Sequence, residues 1–367
     1  MKILILTSKF GMGHFSAAKN LEKQLKNHKI ITTDLYEIAF PKNFGKIYAV
    51  YGMLMNGPVC GLVNTAYRSA VTDDGGLPKS IALPKRIIQS RLNAYLDAVK
   101  PDAVIITYSF AARLVANYLQ ERNLALPLIT CITDIAIHNV WLNEQTTLYL
   151  AACEKTKQLL ADSGVAPDHI AVCGIPVSEE FDQPKPVHAI SNTKELLIIG
   201  GGLGMIPQDI KLYDQLESAA DIHTTVICGK NKRAAKQLRS REYKNITVLG
   251  FCADVAGRMA NADLLLTKPG GISTFEAIHA GLPMLLFDCG LEQEKYNREF
   301  VLDNKLGMAM KNCDSAEEIL RLINDENALA EIKSNMKIVL NSFNRNALSE
   351  YFSHLENSSI AEGRNVC

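Results

Sequence analysis

The chain has 367 residues, with 39 basic and 39 acidic side chains and an apolar fraction of 47%. That length suggests about two domains, and the composition excludes wholesale disorder. Zero net charge argues against a general nucleic-acid binder, and no apolar run reaches the roughly 18–20 residues of a membrane span.

Met1 to Thr7 carries one basic residue and a short apolar run, so it reads as a first strand and not as a secretory signal. Residues 8–18 follow it as Ser-Lys-Phe-Gly-Met-Gly-His-Phe-Ser-Ala-Ala and open a helix at 16–26. Gly11 and Gly13 allow a tight turn, and the free amides of a helix start favour an anion or an oxygen-rich group. The third glycine of a dinucleotide fingerprint is replaced by Ser16. Asp34 stands where a cofactor ribose would need an acid, and the NAD reading is disfavoured. His14 beside this turn is a candidate general base; a structural histidine is the plainer alternative.

Residues 40–91 are irregular, rich in Gly and Pro, and carry seven basic against two acidic residues. Tyr48, Tyr51, Lys79, Lys85 and Arg86 lie within this stretch. Aromatic and Met side chains among Lys and Arg suit an anionic membrane interface, and a helical insertion packed on the sheet edge is the alternative. Strands are expected at 103–107, 127–132 and 148–151, with helices at 111–121 and 154–163. After the second of these strands, Asp134, His138 and Trp141 offer an acid, a base and a stacking platform at one strand end; a structural ion pair would explain the first two as well.

Residues 178–194 carry Pro184, Pro186, Ser191 and Asn192 and no apolar period, and mark a boundary. The expected division is 1–178, a linker at 179–193, 194–345, and a C-terminal helix and tail at 346–367. The second half has strands at 196–199, 224–228, 246–249, 264–267 and 283–287, with helices at 230–241 and 273–280. Continuous Ile/Leu/Val runs alternating with helices predict parallel, doubly wound α/β sheets, two Rossmann-like units facing a central cleft.

Two loops of this half could hold a phosphate. Gly200, Gly201, Gly202 and Gly204 follow the first strand, and no Walker pattern is present. Residues 267–277 contain Gly270, Gly271, Ser273, Thr274 and Glu276. Ser273 or Thr274 could cap the helix and donate to a phosphate. Glu276 is expected on the first turn, where a carboxylate repels phosphate unless it serves another task, such as accepting ribose hydroxyls. Gln293 and Asn297 lie four apart and could read sugar hydroxyls. Nine cysteines with no CxxC pair read as buried thiols of a reducing cytoplasm, and no metal cluster is evident.

In chain order, GxGHxxAA, TDxxxHxxW, GGGLG, KPGGxSxxEA and QExxN together resemble the monogalactosyldiacylglycerol synthase / processive diacylglycerol glucosyltransferase family across about residues 3–310. That family is related to the undecaprenyl-pyrophosphoryl-MurNAc-pentapeptide GlcNAc transferases. The resemblance implies a GT-B-type inverting glycosyltransferase with an N-terminal acceptor domain, a C-terminal UDP-sugar domain and no essential cofactor or metal. It implies that His14 is the base and that Asp134 and His138 position the acceptor or touch the donor. Gly13, Gly201, Gly202, Gly204, Gly270, Gly271, Ser273 and Thr274 would meet the donor. Glu276 would bind the ribose, Phe251 would lie near the uracil, and Gln293 and Asn297 would read the hexose. The acceptor would be diacylglycerol or a glycosyl-diacylglycerol at the cytoplasmic face, with residues 40–91 dipping into an anionic membrane. Another lipid-linked or soluble acceptor, a UDP-sugar epimerase and a UDP-sugar sensor are the rival readings.

Overall fold

The computed structural model describes residues 1–10, 12–55, 79–182, 193–291 and 294–361. The chain forms two compact units. The first is Met1–Pro176 with Phe343–Cys367, and the second is Val177–Ser342. Relative to the sequence division, the chain leaves the first unit at residue 176 and returns to it at 343.

The first unit runs β1 (Lys2–Thr7), α1 (Gly13–Gln24), β2 (Lys29–Asp34), α2 (Leu35–Ala39), α3 (Phe44–Met55), α4 (Lys79–Val99), β3 (Ala103–Ile106), α5 (Ser109–Arg122), β4 (Leu128–Cys131), β5 (Leu148–Ala151), α6 (Glu154–Asp162) and β6 (Ile170–Val172). Its six parallel strands are ordered β2-β1-β3-β4-β5-β6. Period-two alternation divides β1 between two cores. Leu4 and Leu6 join Ile88, Leu92 and Leu96, a stripe of α4 at helical spacing. Ile3 and Ile5 join Ala347, Leu348 and Phe352 near the C-terminus.

The second unit runs β7 (Lys194–Ile199), α7 (Ile210–Glu217), β8 (Ile222–Ile227), α8 (Lys232–Arg239), β9 (Ile246–Leu249), α9 (Val255–Asn261), β10 (Leu264–Thr267), α10 (Gly271–Ala280), β11 (Met284–Leu286), α11 (Lys295–Asp303), β12 (Gly307–Ala309), α12 (Glu317–Ile323) and α13 (Glu326–Asn341). Its parallel sheet is ordered β12-β11-β10-β7-β8-β9. The chain then forms α14 (Ala347–Ala361) in the first unit. The Tyr351 hydroxyl donates to Thr147 Oγ1 at 2.7 Å, and the Asn344 amide donates to the Val172 carbonyl at 2.8 Å.

Every strand expected from the sequence is present. The three added strands, β2, β6 and β12, all lie at sheet edges. An edge strand has one neighbour, so it can be short or polar: β2 is largely polar and β6 and β12 have three residues each, whereas the edge strand β9 shows a longer, mostly apolar run. Residues 40–91 combine α3 with the first part of α4, whose Ile88 is core. The stretch 56–78 lies outside the described residues.

Both sheets reverse their winding once. After β2 the chain crosses β1 to lay down β3, and after β9 it crosses β7 to lay down β10. Connections leave on opposite faces at such a point, so a crevice opens at the carboxyl ends of β1 and β3, and another at those of β7 and β10.

Phe352 is 1% exposed within the first unit's core. Phe352→Ala should cost about 3–5 kcal/mol, read as a lower urea midpoint for the first unit's transition.

Candidate active site

The crevice of the first unit is lined by residues from three neighbouring strands. Met12 adopts left-handed backbone, φ 67°, and α1 starts at Gly13. This sharp entry places His14 on the first helical turn beside the end of β3. Thr107 Oγ1 lies 2.9 Å from the His14 carbonyl and 2.7 Å from Thr7 Oγ1. The His14 ring is also held. Its Nδ1 is 2.7 Å from Oγ1 of Thr133, which follows β4. Burial first, and then the neighbouring His138, push the His14 imidazole down to about 4, while a hydrogen bond to the Thr107 backbone opposes the shift. Burial alone pushes His138 down to about 4. Both rings are therefore neutral at physiological pH, the form that can accept a proton.

A second cluster backs the same loop. The Asp34 carboxylate is 1% exposed and accepts from the Lys9 amide at 2.9 Å, the Tyr36 amide at 2.8 Å and the Tyr48 hydroxyl at 2.6 Å. Phe10 packs edge-on against Tyr36 and Tyr48, with ring centroids 4.9 and 4.8 Å away. Asp34 thus caps α2 and ties α3 to the loop after β1. Its acceptor capacity is committed to these donors, which removes it as a cofactor-ribose ligand.

The crevice of the second unit lies between two glycine loops. Gly201 and Gly204 have φ of 66° and 70°. A Cβ at Gly204 would collide with the Cys228 carbonyl, so this glycine is also required by packing. Gly270 precedes α10 and makes no side-chain cap. Ser273 and Thr274, expected as caps, lie inside the first turn, where the Thr274 amide pairs with the Gly270 carbonyl at 2.9 Å. The amides of residues 271–273 precede that first bond and form the anion-favouring end of the helix. Thr274 is fully buried, and its Oγ1 has no hydrogen-bond partner among the described residues.

Glu276 sits in the second turn of α10, one turn deeper than expected, which separates its charge from the helix start. Burial pushes its carboxyl up to about 7. Lys268 was passed over in sequence because its motif is read for its glycines. Its ammonium pairs with Glu294 and lies against both loops, near Gly201 and Gly270. Cys289 Sγ is 2.9 Å from the other oxygen of Glu294, which is 6% exposed.

Several expected roles change. Asn297 is 1% exposed and its Nδ2 donates to the Pro269 carbonyl at 3.0 Å, so its amide braces the loop before α10. Gln293 lies outside the described residues. Trp141, expected as a stacking platform, is 1% exposed and packed inside the unit, with the His138 ring 5.9 Å away. Tyr48 turns its hydroxyl inward to Asp34. Phe251 is 76% exposed beyond β9, available for stacking. Asp134 is half-buried in the loop that carries Thr133. Arg86 is exposed on α4 and Lys85 is half-buried, while the side chains of Tyr51 and Lys79 lie outside the described residues.

Comparison with known proteins defines the class. Residues 14–177 match the family described as monogalactosyldiacylglycerol (MGDG) synthase, and residues 206–339 match glycosyl transferases group 1. The *Anabaena* protein HepE, solved with UDP-glucose, superposes at TM-score 0.57 with 15% identity, over 98% of this chain and 100% of that one. MurG of *Acinetobacter baumannii* superposes at 0.62 with 14% identity, over 97% and 99%. The UDP-GlcNAc 2-epimerase of *Neisseria meningitidis* superposes at 0.57 with 15% identity, over 93% and 99%. The chain has the GT-B fold and is a glycosyltransferase. Among its relatives, the processive diacylglycerol beta-glucosyltransferase of *Staphylococcus carnosus* is 29% identical over 359 residues, covering 92% of this chain and 88% of that protein. That of *Bacillus pumilus* is 27% identical over 361 residues, covering 92% and 90%.

The raised carboxyl of Glu276 sets a pH dependence. If its ionised form accepts ribose hydroxyls, UDP-glucose affinity should rise with pH through about 7 and fall below it. Calorimetric titrations with UDP-glucose between pH 5.5 and 8.5 check this. In Glu276→Gln, affinity should be lower and flat across that range.

Proposed function

We propose that this enzyme transfers a glucosyl group from UDP-glucose to the hydroxyl of diacylglycerol, inverting C1, at the cytoplasmic face of a membrane. The observation that carries the reading is the neutral, buried imidazole of His14 at the winding reversal of the MGDG-synthase domain. The relatives' diacylglycerol activity supports the acceptor.

In this reading His14 takes the proton of the acceptor hydroxyl as its oxygen attacks C1. The C1–O bond to the diphosphate breaks, and UDP leaves with the electron pair. A single displacement of this kind inverts the carbon. The first-turn amides of α10, the loop of Gly201, Gly202 and Gly204, and the Lys268 ammonium supply preorganised positive charge to the departing diphosphate. Such a donor set needs no resident metal. Glu276 accepts the ribose hydroxyls, and Phe251 lies against the uracil.

The acceptor is drawn from a bilayer. Among the described residues no helix is long and apolar enough to cross a membrane. Lys42, Lys46 and Arg86 are exposed, as is Ile87 at 40%. Cations beside apolar side chains suit an anionic interface.

The test is radiolabel transfer from UDP-glucose and UDP-galactose, offered separately to diacylglycerol in anionic vesicles with chelator present. Glucose entering the lipid phase is the expected result. Release of UDP only with a cell extract would move the acceptor elsewhere, and a changed UDP-sugar with no acceptor would mean epimerisation. His14→Ala should lower turnover about 100-fold or more; near-normal turnover would remove it as the base.

A further inference from the structure

The contact between His14 Nδ1 and Thr133 Oγ1 can run in either direction, and the two directions have opposite chemical meanings. If the threonine hydroxyl donates, Nδ1 is the bare nitrogen and its lone pair is occupied, while Nε2 carries the proton and cannot act as a base. If the threonine oxygen accepts, Nδ1 carries the proton and the lone pair of Nε2 is left for the reaction. We propose that Thr133 is the positioning residue of the base: its hydroxyl oxygen accepts the Nδ1–H of His14 and fixes the tautomer in which Nε2 takes the acceptor's proton. The inference rests on the reading of His14 as the base, and deepens it by naming what orients that base.

The geometry fixes both the backbone and the ring of His14. Its main-chain carbonyl meets Thr107 Oγ1 at 2.9 Å, and its ring meets Thr133 Oγ1 at 2.7 Å. Thr107 follows β3 and Thr133 follows β4, and β1, β3 and β4 are consecutive neighbours in one sheet. Thr133 is itself well fixed. It is 4% exposed, and the preceding Ile132 amide pairs with the Leu150 carbonyl at 3.0 Å. A hydroxyl so placed can orient a ring with little entropy left to lose.

The neutrality of this partner matters as much as its place. The titratable and charged groups on the surrounding elements are His138 and Asp134 on the loop of Thr133, Tyr108 after β3 with its ring 5.3 Å from His14, and Lys9 with Glu37 and Asp34 behind the loop after β1. Among the described residues none of the carboxylates is hydrogen-bonded to the His14 ring. A carboxylate on Nδ1 would stabilise imidazolium and store the proton. A threonine gives the same orientation without the charge, so the base stays unprotonated to low pH, in line with its depressed pKa.

The experiment uses the full chain labelled with 15N-histidine, with the His14 signals assigned from a His14→Gln sample. At neutral pH the expected spectrum shows His14 protonated on Nδ1 and bare on Nε2. Thr133→Val should lose that preference and lower kcat roughly 10–100-fold, with the KM for UDP-glucose unchanged. Thr133→Ser should restore both. Thr133→Asp should move the acid limb of kcat/KM to higher pH. Protonation of His14 on Nε2 in the resting protein would overturn the proposal, as would a Thr133→Val enzyme with unchanged tautomer and turnover. Should Thr133→Val fail to fold, the wild-type spectrum and the Thr133→Asp pH profile still decide. Loss of turnover in His14→Ala with normal turnover in Thr133→Val would sink this inference alone. Normal turnover in His14→Ala would sink the reading beneath it.

Discussion

A parallel sheet that reverses its winding cannot cover the carboxyl ends of the two strands on either side of the reversal. The connections depart to opposite faces, and the strand ends are left with unpaired backbone groups and the first turns of helices. Each unit of this chain contains one such reversal, between β1 and β3 and between β7 and β10. The residues to which a chemical role is proposed sit at those two places or on the next strand out, with Phe251, beyond the edge strand β9, the exception. The rest of each sheet, with its cores of Ile, Leu and Val, keeps these strand ends in register. Thr267 Oγ1 bonded to the Ile199 carbonyl at 2.9 Å and Thr107 Oγ1 against Thr7 Oγ1 at 2.7 Å show the register maintained to the last residue.

Burial at the two crevices acts on opposite kinds of group and favours the neutral form of each. It pushes the His14 imidazole down to about 4 and the Glu276 carboxyl up to about 7. For the histidine as the proposed base this is a gain, because a base must be unprotonated to begin. For the glutamate it is a readiness that a ligand completes, since donated hydroxyls favour the charged form that burial disfavours. Positive charge at the second crevice is kept in reserve differently. Lys268 is paired with Glu294, and in the proposed reaction an incoming diphosphate would compete with that carboxylate for the ammonium.

The strands and the loop motifs were legible because each leaves a contiguous mark: an apolar run for a buried strand, glycine and histidine after it for a crevice. What was not legible is what contact across the sheet decides. Thr133 is an unremarkable residue one position before Asp134, and only the pairing of β4 beside β3 brings it to His14. Lys268 was visible, but its partner Glu294 lies 26 residues on. Trp141 reads as open for binding from its place after a strand, and Asn297 from its four-residue spacing to Gln293, and spacing carries no measure of depth. The edge strands β2, β6 and β12 were missed for the reverse reason, since a strand with one neighbour can be largely polar, as β2 is, or only three residues long, as β6 and β12 are.

Asp34 shows how α3 is joined to the loop that carries His14. A carboxylate 1% exposed is tolerable only when its oxygens are saturated with donors. Here the donors come from three places: the Lys9 amide in the loop after β1, the Tyr36 amide in α2 and the Tyr48 hydroxyl in α3. Removing any one would leave a buried charge short of a partner, so the loop and α3 are energetically committed to each other. The first turns of α3 therefore stay tied to the loop that carries His14.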